Sequence, residues 1–181
     1  MDTIDLKNPT LYINRELSLL EFNRRVIEQA KDENLPLLER LRFLCIASTN
    51  LDEFFEIRVA GLKQQVKYGS TQTGPDNLSP TEVLTRVSET AHQFVEEQYS
   101  VWNDLIIPAM AKDNIRLLRR SQWKSQTSRW IHRYFKDEVL PVLSPIGLDP
   151  AHPFPKVQNK NLYFIISLDG KDAFGRDSGL A

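Results

Sequence analysis

One cysteine, Cys45, is the whole thiol content of these 181 residues, so no internal disulfide and no CxxC pair is possible. Cys45 sits in an apolar run, where a small core residue is expected. No run approaches the roughly 20 apolar residues that a membrane span needs. The opening "MDTIDLKNPT" has no basic stretch leading into an apolar core and is not a signal peptide, so the cytoplasm is the expected compartment. Neither charge sign dominates: 23 Lys and Arg stand against 24 Asp and Glu, a net charge of −1. That balance removes the electrostatic case for non-specific nucleic-acid binding and makes any anion site local. The phosphate-binding GxxxxGK[ST] loop is absent, as are GxGxxG, HExxH and GxSxG. The three histidines, His92, His132 and His152, show no metal-ligand spacing. His92 and His132 read as helix-surface residues and His152 as a hydrogen-bonded loop residue. No repeat or low-complexity tract is present.

What is there is helical texture through the first 110 residues. Ser18 with Glu21 matches a capping box for a first helix, and Leu17 with Phe22 occupies the staple positions. Phe22, Val26 and Ala30 carry its face to Lys31. Pro36 suits the first turn of a second helix. Its stripe runs through Leu37, Leu38, Leu41, Leu44 and Cys45, and apolar spacing resumes with Leu51, Phe54, Phe55, Leu62 and Val66. "YGSTQTGPDN" is a loop. The strongest start signal follows in "LSPTEV": Ser79 as N-cap, Pro80 as first helical residue, Glu82 as capping-box acid, and Leu78 with Val83 as staple. From there an apolar face extends to Ile106, with Pro108 expected to end or kink it. A helix of roughly 30 residues would be about 45 Å long, which suits an elongated antiparallel bundle.

Between the two stripes of the second segment lies a polar break, "STN", Ser48 to Asn50. Either two helices meet there or one long helix bends, and the first arrangement is the expectation. Asn50 with Glu53 then fits an N-cap with an acidic N3 residue. The side-chain oxygen of Asn50 would serve the cap and its amide nitrogen would remain free to donate to a ligand. Asp52, Glu53 and Glu56 read as dipole and cap partners rather than a metal site. Arg40, Arg42 and Arg58 flank the break and cannot all aim at one point from helical spacing. Their reading is solvated or salt-bridged.

After "AKDN" the texture changes. "IRLL" (Ile115–Leu118) is a short strand candidate, residues 125–138 a helix, and "NLYFIISLDG" a strand. Between the last two, "VLPVLSPIGLDPAHPFP" carries five prolines and reads as extended chain and loop. The fold class is mainly α: an antiparallel helical bundle over residues 1–110, then the truncated start of an α+β domain over 111–181, cut before the partners of its strands.

The stretches "NRELS-LEFNRRV", "PLLERLRFL" and "S-TNLDEFF-IRVAGL" closely resemble the start of bacterial polyphosphate kinases. "LPVLSPIGLDPAHPFP" and "NLYFIISL" resemble the opening of that family's second, or head (middle), domain. The resemblance spans about residues 11–168. It implies an enzyme that reversibly passes the γ-phosphate of ATP to inorganic polyphosphate through a phosphohistidine. It places that histidine and the Mg2+ ligands in two downstream catalytic domains, outside this chain. His92, His132 and His152 match none of the family's catalytic positions. One ligand contact maps here: the asparagine of the "NLDEF" motif, Asn50, near the adenine end of ATP. The implied partners are ATP or ADP, polyphosphate, the remaining catalytic domains and further copies in a homo-oligomer, with no nucleic acid. Any membrane association would arise through the full-length complex. The segment alone is expected to be inactive. The rival reading is a non-catalytic helical module that oligomerises through its long third helix.

Overall fold

A computed structural model describes residues 5–148, 153–158 and 161–167. The chain divides into two units, Met1–Leu117 and Leu118–Ala181.

In the first unit, Asn8 caps a short 3-10 turn, Pro9–Leu11, and α1 follows over Arg15–Lys31. Its N-cap is Asn14, not the expected Ser18. The Asn14 Oδ1 accepts from the backbone N–H groups of Glu16 (3.0 Å) and Leu17 (3.1 Å). The competing capping box loses because Asn14 is also tied from outside. Its Nδ2 donates to Asp76 at 2.7 Å, a contact 62 residues away in sequence. Phe22, no longer a staple, lies exposed with the Arg25 guanidinium 5.4 Å from its ring centre.

Five residues, numbers 32–36, separate α1 from α2, Leu37–Phe54, with Pro36 as N-cap rather than first-turn residue. So short a connection makes the pair antiparallel. Arg40 is the joint: only 8% exposed, its Nε donates to the Ala30 carbonyl at 2.9 Å, satisfying an end carbonyl of α1 and countering its dipole. That role replaces the solvated reading. Arg42 stays exposed, 3.6 Å from Glu39.

The helix does not break at Ser48–Asn50. It runs unbroken to Phe54, passes through a π-helical turn at Phe55–Val59 and continues as α3, Ala60–Lys67. The polar residues ride within it: Thr49 Oγ1 donates back to the Cys45 carbonyl at 3.1 Å, four residues earlier. Asn50 is therefore no N-cap, and Asp52 and Glu53 are not first-turn acids. Cys45 is exposed, one register away from the core positions Leu44 and Ala47. Gly69, at φ +71, ends α3, where the backbone N–H of Ser70 returns to the Gln65 carbonyl at 2.9 Å.

α4 spans Pro80–Ser100 and starts as read from the sequence, with Ser79 as N-cap and a complete capping box to Glu82. A second π-helical turn, Val101–Ile106, leads into α5, Ile107–Lys112. Pro108 falls in the first turn of α5, so it does not end the helix. Asn114, at φ +62, does. Beyond it Ile115 N–H bonds the Met110 carbonyl at 2.9 Å and Asn114 N–H the Ala111 carbonyl at 3.2 Å, a two-bond helix stop.

The three helical rods share a core in two parts. Ile27, Ala30, Leu44, Ala47, Phe94, Val101 and Ile106 form one. Leu20, Phe54, Val59, Val83, Val87 and Ala91 form the other. α1 runs parallel to α4: its start meets Asp76, just before α4, and its end meets Glu97. Lys31 Nζ sits 2.6 Å from both Glu97 and Glu28. Partial burial alone would lower the Lys31 pKa, but the two carboxylates together raise it above the ordinary lysine value. Arg24 Nε, 3.0 Å from Glu97, adds charge proximity without an aligned hydrogen bond.

In the second unit, α6 spans Ser125–Tyr134 and continues through a π-helical turn, Phe135–Val139, and a 3-10 turn, Leu140–Val142. Trp130 and Tyr134 stack with ring centres 5.4 Å apart. The described residues contain no strand: Ile115–Leu118 and residues 161–167 form no ladder, contrary to the strands expected there. A strand exists only when a neighbouring extended segment takes up its backbone N–H and C=O groups in a ladder, and among the described residues no such ladder forms. Leu168 lies outside the described residues, as does His152.

Candidate functional site

A groove of about 370 Å³ opens in the first unit where α1 passes the end of α2. Its floor is Leu20 and Phe54, both buried in the core. Leu19 and Phe22 from α1 and Ile57 from the π-helical turn line it as exposed apolar side chains. Its polar groups are Asn23 from α1, Asn50 and Glu53 from α2, and Arg58 from the turn.

The turn explains why Arg58 and Ile57 reach a wall that a regular helix would carry elsewhere. Phe54 and Val59 are both buried, yet five residues apart. In an α-helix that spacing separates two side chains by about 140° around the axis. Widening the helix by one residue brings both onto the core side and re-aims what lies between them. Such insertions are frequent at functional sites. Phe55 is left half outside, its ring edge-on to Phe54 at 5.9 Å, so it does not anchor the helix as Phe54 does.

At the inner end of the groove two amides join α1 to α2. Asn23, 4% exposed, donates from Nδ2 to the Ala47 carbonyl at 2.8 Å. Asn50, half-buried, donates from its own Nδ2 to the Asn23 Oδ1 at 3.1 Å. The structure thus brings together Asn50, singled out by sequence, with Asn23 and Arg58. Asn23 was missed because it falls in phase with Leu20, Ile27 and Ala30 and reads as a polar exception on a core stripe. That exception was itself the signal, since a buried amide needs partners. His92 lies on the exposed side of α4 with Nδ1 2.7 Å from the Ser88 carbonyl, and His132 is exposed on α6, so both are helix-surface residues as read.

Chemically, the groove offers an apolar floor and rim, two carboxamides, one carboxylate and one guanidinium. It suits a flat, partly polar group such as a nucleobase more than a highly charged chain.

The sequence model of the polyphosphate kinase N-terminal domain matches residues 12–118. The chain belongs to the polyphosphate kinase family. The model of the polyphosphate kinase middle domain matches residues 126–181. A polyphosphate kinase of Pseudomonas putida is 57% identical over 176 residues, covering 97% of this chain and 24% of that protein. One from Xylella fastidiosa is 51% identical over 175 residues, covering 97% and 25%. The crystal structure of polyphosphate kinase from Porphyromonas gingivalis superposes with a TM-score of 0.67 at 29% identity, covering 81% of this chain and 20% of that one. The chain therefore spans about a quarter of the length of the curated polyphosphate kinases it matches.

Proposed function

We propose that this chain forms the helical N-terminal domain and the start of the middle domain of a polyphosphate kinase, and that its groove supplies one wall of the nucleotide site. The complete enzyme transfers the ATP γ-phosphate reversibly to inorganic polyphosphate through a phosphohistidine and works as a homo-oligomer in the cytoplasm. Those steps lie outside this chain. Phosphoryl transfer needs in-line placement and concentrated positive charge, and a net charge of −1 with no phosphate loop does not provide them. Among the described residues no three His, Cys, Asp or Glu side chains converge to suit Mg2+, and on this reading its ligands lie in the downstream catalytic domains.

The observation that carries the nucleotide reading is Asn50, the family's "NLDEF" asparagine, lining a groove with an apolar floor and a cation on the same wall. The rival, an oligomerisation module built on the third helix, has little support from the apolar face that would have to serve it. Val83, Val87, Ala91, Phe94, Val101 and Ile106 of α4 and its continuation are buried in the bundle, while Leu105 stays exposed. No described helix is long and apolar enough to cross a membrane.

The test is Asn50→Ala in the full-length enzyme. Losing one or two hydrogen bonds to the base is worth about 0.5–1.5 kcal/mol, so the KM for ATP should rise by up to roughly tenfold while the KM for polyphosphate holds. An unchanged KM for ATP in a folded variant would leave Asn50 a structural link between α1 and α2. The 181-residue chain by itself should make no polyphosphate, since one wall is not a catalytic centre.

A further inference from the structure

We propose that Asn23 is a positioning residue for the nucleotide, fixing which edge of the Asn50 carboxamide meets the base and thereby favouring adenine over guanine; this rests on the nucleotide reading of Asn50 above. The orientation follows from a chain of hydrogen-bonding constraints. The Ala47 carbonyl can only accept, so the Asn23 side chain must turn its NH2 toward it. The Asn23 oxygen then necessarily faces Asn50, which must answer with its own NH2. Asn50 is left with its carbonyl oxygen and its second N–H for whatever occupies the groove. Neither group has another partner among the described residues. A backbone carbonyl in the middle of α2 cannot rotate without breaking the helix, so the constraint reaches Asn50 from a fixed point.

One acceptor beside one donor is the pattern that reads the amino and ring-nitrogen edge of adenine. Guanine places a carbonyl oxygen where adenine has its amino group, and that oxygen would meet the Asn50 carbonyl, lone pair against lone pair. Were the Asn50 amide free to flip, its NH2 would meet the guanine O6 and its oxygen the guanine N1–H, so a site reading the N1 edge would accept either base. Burial of Asn23 at 4% exposure keeps water from substituting for either hydrogen bond. A residue whose only task was to join α1 to α2 would have no bearing on the choice of base.

The experiment measures ATP and GTP kinetics in the full-length enzyme for Asn23→Leu, Asn50→Ala and the double variant, with thermal unfolding as the check on folding. Asn23→Leu keeps roughly the side-chain volume and frees the Asn50 amide. The KM for ATP is expected to rise about three- to tenfold, the ATP-over-GTP preference to fall by a similar factor, and the effect on the KM for polyphosphate to be smaller. In the Asn50→Ala background, Asn23→Leu should add nothing, because its influence passes through Asn50. Should Asn23→Leu not yield folded enzyme, Asn23→Ala removes the same two hydrogen bonds with less crowding and should give the same result. Folded Asn23 variants with wild-type ATP kinetics and base preference, beside an impaired Asn50→Ala, would overturn the positioning role and leave the nucleotide site standing. Multiplying effects in the double variant would overturn it too, since Asn23 would then act by another route. An Asn50→Ala enzyme indifferent to ATP would remove the nucleotide reading and the proposal with it.

Discussion

The helical first unit and the second unit are both rich in apolar side chains, yet among the described residues only the first fully buries any. Leu20, Ile27, Phe94 and Ile106 are almost fully enclosed in the first, while no described residue of the second is buried and Trp130 remains 61% exposed. The difference lies in how each kind of element completes itself. A helix closes its backbone hydrogen bonds locally, so three rods with matching stripes need only one another to form a core. An extended segment such as 161–167 leaves its N–H and C=O groups to neighbours. α6 has an apolar face of its own, Trp130, Tyr134 and Phe135, but no described element of its unit covers it. Apolar pattern is necessary for a core, and an opposing surface decides whether one exists.

Three experiments press on that comparison. The largest effect should come from limited proteolysis. Cleavage is expected in the stretch beyond α5, after Asn114, followed by loss of the second unit and survival of a helical fragment that begins with α1. The fragment should retain a cooperative thermal transition, and equal degradation of both units would erase the contrast. That outcome would also test the proposal that residues 1–110 fold independently.

A smaller but more quantitative contrast comes from truncating one aromatic in each unit. Phe94 is 1% exposed at the centre of the core, so Phe94→Ala should cost about 3–5 kcal/mol in denaturant unfolding. Trp130→Ala should stay within about 0.5 kcal/mol, as for surface residues generally. Similar costs for the two would show that α6 is packed against something substantial.

The smallest expected effect concerns the start of α4. Ser79→Ala should cost roughly 1 kcal/mol through the lost cap. The Glu82 pKa is lowered, first by the Ser79 hydroxyl, then by the Ser79 backbone N–H. A carboxyl whose folded pKa is depressed lends stability above its unfolded value and loses it as pH falls through the folded one. The difference in melting temperature between wild type and Glu82→Gln should therefore shrink on acidification through and below the usual glutamate range. A difference independent of pH would mean the capping box does not hold its charge.

How far the site could be read in advance is seen residue by residue. Asn50 was identifiable from its motif, but its mechanical role was not. Ser, Thr and Asn in succession suggested a helix end, because those side chains compete with the backbone. Thr49 instead bonds back to Cys45, and Asn50 is drawn aside to Asn23, so the helix passes through. The π-helical turn left a trace in the five-residue step from Phe54 to Val59, which a period of 3.6 does not produce. Ser18 and Glu21 match a capping box, but Asn14, which takes two backbone N–H groups and is held by Asp76 far along the chain, starts the helix one turn earlier.

The sequence by itself determined which stretches of the first unit are helical, the loop after α3 and the whole start of α4, because stripes, caps and turn residues act within a few positions, but it did not determine where one helix gives way to the next. It also determined family membership, since several separate segments carry one family's pattern. Tertiary structure alone decided the N-cap of α1, the burial of Arg40 against the end of that helix and the meeting of Asn23 with Asn50. Each of those depends on a donor or acceptor at least ten residues away in sequence. Periodicity cannot express such a partner, and only the packed bundle supplies it.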